Sequence, residues 1–133
     1  HFNIRHLQWH DIPIYFIDSP EHFMREGLYA NAFDAYDDNG ERFSFFSGAV
    51  LQTLKAIDKQ PDVIHCHDWH TAMLPFLLTH EKSGYFKDTA TVFTIHNAAF
   101  QGVHKLDTIP YLRHHPDIAP YQPHVLRHLV SSG

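Results

Sequence analysis

Two short polar groups hold the residues whose types and spacing could do chemistry. His65-Cys66-His67-Asp68-Trp69-His70 gathers imidazoles, a thiol, a carboxylate and an indole, and His96-Asn97 adds an imidazole beside an amide. Imidazole and carboxylate together suit zinc and related ions. Against a metal cage, His65 and His67 fall on one face of an extended segment while His70 enters the next element. A Cys66–His nucleophile pair fails on the same alternation, because Cys66 points away from both neighbouring imidazoles, and buried thiols of this kind are inert. Neither a Gly-x-Gly-x-x-Gly nor a Walker-type loop offers a phosphate cradle. Sugar recognition remains: Trp69 offers a flat face for a pyranose, with Asp68, His70, His96 and Asn97 as hydrogen-bond partners for hydroxyls. The same side chains could instead stabilise strand ends alone, and residue types do not choose between the two.

Each group closes an apolar run. Val63-Ile64-His65-Cys66-His67 and Val92-Phe93-Thr94-Ile95 read as strands, and Thr71 to His80 between them reads as a crossover helix. Parallel strands joined this way place both polar ends on one edge of a sheet, through a crossover that is almost always right-handed. Ligands of open α/β sheets bind in the crevice beyond the carboxyl ends of the strands. Asp68, Trp69, His70, His96 and Asn97 are therefore expected to converge. Asp68 is also placed to cap the helix, Pro75 falls in its first turns, where proline does least damage, and Gly84 would end it as a left-handed cap.

Upstream, Phe2 to Trp9 and Ile12 to Ile17, broken at His10-Asp11, predict a hairpin with Pro13 at a strand start or on an edge. Glu21 to Gly40 reads as a long loop with a helical turn at Glu21 to Met24. Loops of this length are usually functional or mobile, and Tyr29 is its residue of interest. Phe43, Phe46, Val50, Leu54 and Ile57 then recur at helical spacing, with Glu41, Arg42, Gln52, Lys55 and Asp58 on other faces. This helix should start at Asn39 or Gly40, lay its apolar face on the sheet and stop before Pro61. Beyond Gly102, four prolines break the chain, and Tyr111-Leu112-Arg113 and Val125 to Val130 could at most be short helices.

The 133 residues, 44% hydrophobic and 19% charged, fit one globular domain or part of one. A net charge of -5 with ten Lys and Arg argues against nucleic-acid binding. Fourteen histidines make the charge strongly pH-dependent below neutrality. The single cysteine, Cys66, excludes an intrachain disulfide and fits a reducing compartment. No stretch has the length of a membrane-spanning helix and no secretory leader opens the chain. A start at His1 instead of Met suggests a processed or excised piece.

At the two polar groups the chain resembles the catalytic domain of bacterial glycogen synthases and plant starch synthases. The matching stretches are Tyr15-Phe16-Ile17-Asp18-Ser19-Pro20, Gly27-Leu28-Tyr29, Glu41-Arg42-Phe43-Ser44-Phe45-Phe46, Pro61 through His70, Thr91 through Asn97, and Gln101-Gly102. They run in family order over about residues 1 to 104.

The resemblance implies an α/β fold, a Rossmann-like parallel sheet with flanking helices, forming part of the N-terminal domain of a GT-B glycosyltransferase. Residues 1–133 would be a single partial domain, with 105–133 poorly assigned. The implied reaction is retaining transfer of glucose from ADP-glucose to the non-reducing end of an α-1,4-glucan, with no cofactor and no essential metal, in a bacterial cytoplasm or a plastid. By resemblance His96 sits beside the donor glucose as a positioning group, and Tyr29, Asp68, Trp69, His70 and Asn97 line the cleft. The family's Lys-x-Gly-Gly loop and entire C-terminal domain are absent, and His104 stands where an aromatic is usual. The piece alone is thus expected to be inactive and to need the remainder of its parent chain. The alternative from another class is a non-catalytic glucan-binding or interaction module.

Overall fold

The computed structural model describes residues 1–105 and 108–114. The chain divides into two compact units, His1–Asp37 and Asp38–Gly133.

In the first unit, β1 (Asn3–Trp9) and β2 (Ile12–Asp18) form the expected antiparallel hairpin, with Ile4 opposite Ile17 and Trp9 opposite Ile12. Pro13 is the second residue of β2, in a two-stranded sheet where each strand is an edge, so its missing N–H costs little. His10 turns the corner at φ 52°, and the Gln8 amide donates to its carbonyl at 2.9 Å. Arg5 and Asp18 pair at 2.6 Å across the open end. The helical turn α1 (Pro20–Phe23) carries proline at its start, where no N–H is needed. In the loop that follows, the Asn31 side-chain oxygen accepts from the backbone of Phe33 and Asp34, and the Tyr36 hydroxyl donates to the Glu26 carbonyl.

The second unit opens with α2 (Asn39–Ala56), starting where expected. Its buried face is not the apolar stripe. Phe43, Phe46, Val50, Leu54 and Ile57 are only half-buried, whereas Gly40, Ser44, Ser47, Gly48 and Leu51 are buried. Small residues win because α2 lies against other helices at close range: a Cβ on Gly48 would stand 1.6 Å from the Tyr111 hydroxyl oxygen. Arg42, expected on an outer face, is buried and donates to the Asn39 side chain at 2.6 Å.

β3 (Val63–His67) and β4 (Ala90–Thr94) pair in parallel, with His65 opposite Val92 and His67 opposite Thr94. Between them come a 3-10 turn (Trp69–Thr71) and α3 (Met73–Thr79) in place of one continuous helix. Pro75 has no N–H to offer the Thr71 carbonyl, so the helical ladder breaks between the two pieces. α3 ends at Thr79 with His80 as its C-cap, and Gly84, at φ 72°, shapes the following turn instead of capping the helix. A short helix, α4 (Pro110–His114), covers the predicted Tyr111–Arg113 segment. The second predicted helix, Val125 to Val130, lies outside the described residues.

α2 packs chiefly on α3, the 3-10 turn and α4, not on the strands. The core joins Leu51, Ile64, Cys66, Leu74, Leu77 and Leu112, among others. Ile64 and Cys66 point into it while Val63, His65 and His67 point away, which is the alternation of a strand covered on one face. Val92 and Ile95 remain about half exposed, at 48% and 53%. Parallel sheets normally have both faces covered, so this pair carries the apolar character of a larger sheet.

Candidate functional site

The ends of β3 and β4 are tied together by Asp68. Its backbone N–H extends the ladder to the Thr94 carbonyl at 2.9 Å, and its carboxylate Oδ1 accepts the backbone N–H of His96 at 2.7 Å. Asp68 holds φ at 57° with ψ at 178°, a positive-φ extended conformation that is populated almost only by glycine and costs another residue about 1–3 kcal/mol. That conformation turns the chain sharply off β3 into the 3-10 turn. The expected helix cap is not formed by the Asp68 side chain. The carboxylate is spent on the neighbouring strand end, and Thr71 takes over the local bonding: its hydroxyl donates to the His67 carbonyl at 2.9 Å and accepts the His67 N–H at 2.7 Å.

His96 is held a second time. Its ring Nε2 lies 3.0 Å from Nδ1 of His67, with the rings 5.3 Å apart and inclined by 23°. One of the two rings must be the donor and the other the acceptor. His67 in turn packs on His65, the rings tilted at 4.2 Å, and His65 Nε2 pairs with the Thr94 hydroxyl at 2.7 Å. The exposed face of the two strands therefore carries a row of imidazoles ending at His96. Among the described residues no cluster has the arrangement of a metal cage.

Trp69 and His70 form the other half. Their rings are 4.1 Å apart, and Phe43 of α2 meets both edge-on, at 5.1 Å from Trp69 and 4.7 Å from His70. The indole also packs on His104 at 5.3 Å and on the backbone of Gly102, where a Cβ would come within 2.4 Å of the ring. Gly102 stands at φ 62°. The indole is thus as much a packing surface for this chain as a plate for a ligand. Two hollows share Trp69, Ala72 and Gln101: one runs under Phe43, Ser44 and His104, the other beside Asp68, Phe93, Ile95 and Phe100. Burial pushes the His70 imidazole below its usual range, partly offset by the Asp68 charge, and burial does the same to His104. Nε2 of His104 is buried and makes no hydrogen bond among the described residues.

Of the expected set, the structure joins Asp68 directly to His96 and Trp69 to His70. Asn97 follows His96 in the chain, and its side-chain oxygen accepts the Ala99 N–H at 3.0 Å, closing its own turn. Tyr29 belongs to the first unit, where it is half exposed and its carbonyl accepts the Tyr36 N–H at 3.0 Å. Sequence reasoning missed His67 as the ring partner of His96, and Gly102 and Phe43 as the supports of Trp69. The alternation that set His65 and His67 on one face could have shown the first, because in-register pairing of β3 and β4 brings His67 beside Thr94, two residues from His96.

The family model described as starch synthase catalytic domain matches residues 1–128, past residue 104 where the motif resemblance ends. A glycogen synthase of Geotalea uraniireducens is 49% identical over 107 residues, covering 79% of this chain and 22% of that protein. One from Vibrio cholerae is 48% identical over 106 residues, covering 76% and 22%. Among solved structures, the catalytic domain of starch synthase IV from Arabidopsis thaliana, bound to ADP and acarbose, superposes with a TM-score of 0.66. It is 31% identical, and the match covers 80% of this chain and 22% of that one. The chain thus spans about a fifth of the length of the relatives it matches.

Proposed function

Because this chain belongs to the starch synthase catalytic domain family, we propose that it is part of the N-terminal domain of a GT-B glucosyltransferase that moves glucose from ADP-glucose to the non-reducing end of an α-1,4-glucan. In this reading residues 1–133 are one partial domain, the transfer retains anomeric configuration, and no metal is essential. The Arabidopsis relative with bound ADP and acarbose supports a nucleotide-linked sugar and a glucan as the two substrates. The bacterial glycogen synthases support a bacterial cytoplasm, with a plastid as the second possibility. No helix among the described residues is long and apolar enough to cross a membrane, and the acidic balance gives no reason to expect nucleic acid.

The observation that carries the reading is the 2.7 Å bond from the His96 backbone to Asp68. It holds the residue proposed to meet the donor glucose just past the carboxyl end of β4, the edge at which open α/β sheets bind ligands. His96 acts by position: it holds the sugar while positive character develops at the anomeric carbon, and a fixed neighbour costs no reorganisation at that moment. Asp68, Trp69, His70 and Asn97 line the donor and acceptor sides. The groups that would grip the diphosphate belong to the remainder of the parent chain, so the piece alone is inactive.

Incorporation of glucose from ADP-glucose into glycogen by the full-length parent tests this. The expected result is robust transfer by the parent, none by residues 1–133, and a large fall in turnover for His96→Ala at unchanged melting temperature. A parent that binds glucan but transfers no glucose would leave the non-catalytic glucan-binding reading in its place.

A further inference from the structure

Resting on that reading of His96, we propose that His67 is a positioning residue for the transfer: it engages Nε2 of His96 and so leaves Nδ1 as the one ring atom of His96 that meets the substrate. The ring can hydrogen-bond only through its two nitrogens. Nε2 lies 3.0 Å from His67 Nδ1, whereas Nδ1 makes no hydrogen bond among the described residues. The backbone of the same residue is pinned by Asp68 at 2.7 Å. Two anchors on one residue, one at the main chain and one at the ring, fix both its place and its rotation.

His67 is itself well held. It belongs to β3, opposite Thr94, its N–H is bonded to Thr71, and its ring packs on His65. The His67–His96 bond also couples tautomers. If His67 donates, His96 carries its proton on Nδ1 and donates to a substrate oxygen. If His96 donates through Nε2, its Nδ1 is an acceptor for a substrate hydroxyl. In both cases the substrate meets Nδ1, and loss of His67 frees the ring to turn and offer either nitrogen.

The test uses the full-length parent with His67→Phe, which keeps a ring but no nitrogen, and His67→Asn, whose amide occupies the place of Nδ1. Each is made in the wild-type and His96→Ala backgrounds. The expected result for His67→Phe is a fall in kcat of about tenfold, the worth of one hydrogen bond, with KM for glycogen and the melting temperature unchanged. His67→Asn should restore most of the lost turnover, and neither change should matter once His96 is Ala. A folded His67→Phe protein with wild-type kcat overturns the proposal, as does an equal loss in both backgrounds. If His67→Phe does not fold, His67→Ala and His67→Asn at matched melting temperatures decide instead: equal kcat in the two overturns it. A parent with no transferase activity at all would refute the proposed function, a result distinct from any of these.

Discussion

Asp68 and His96, just past the ends of strands joined only through a crossover, are bound to each other by a side chain at one end and a main-chain N–H at the other, 2.7 Å apart. Because the donor is backbone, no substitution at position 96 except proline removes the bond. Asp68 is where the clamp can be cut.

Asp68→Ala should therefore lose the charge-assisted bond, about 2 kcal/mol, while the backbone strain at φ 57° and ψ 178° is borne by either residue. Asp68→Asn keeps an acceptor oxygen on the same backbone, so it should lose less than half as much. Chemical denaturation of the full-length parent measures both, and equal losses would mean that the bond contributes nothing.

Gly102→Ala places a methyl group 2.4 Å from the Trp69 ring at a positive φ. Strain and displaced indole together should cost on the order of 2 kcal/mol. A lowered melting temperature with a shifted tryptophan emission is expected; an unshifted melting temperature would show that the loop retreats freely from the indole.

His70 and His104 are both pushed below the ordinary imidazole range by burial. The unfolded chain then binds the proton more tightly, so stability is full above about pH 6.5 and falls as pH drops through that value toward the lowered native ones. His104→Phe removes one such group along with its unpaired buried nitrogen, and should be more stable than wild type by about 1 kcal/mol at neutral pH. The margin should widen between pH 7.5 and 5.5 in melting experiments, and a margin that narrows would contradict the sign.

Burial works to raise the Glu81 carboxyl, but the Lys55 ammonium and the Ser83 hydroxyl and N–H outweigh it and hold the group at about 2. Its stabilising contribution is present above about pH 4.5 and is lost as pH falls toward 2. Lys55 is partly solvated, so the effect is modest. Lys55→Met should flatten acid unfolding in that window, and an unchanged acid limb would exclude the pair as a contributor.

The hairpin, the start of α2, β3 and the parallel strand pair were legible because alternation and helical spacing are local signals. Cys66 facing the core and His65 beside His67 follow from the same period of two. The buried face of α2 was not legible, since Gly48 and Ser44 are selected by how near Tyr111 and the other helices come, a distance no spacing encodes. The true use of Asp68 was hidden for a related reason: a carboxylate before a helix reads as a cap, and only the partner strand shows the stronger claim on it. His67 went unnoticed because its partner is reached through the pairing register, not through the sequence between them.

The parallel register of β3 and β4 has a consequence for how the protein is made. A hairpin can close as soon as its second strand leaves the ribosome, but a crossover pair must wait for the whole intervening helix, and such non-local closures are slow. Asp68 and His67 emerge long before His96 exists to receive them. Until Thr94 docks, the Asp68 carboxylate and the His67 ring lack their His96 partner, so the candidate site is completed by the same late event that closes the sheet.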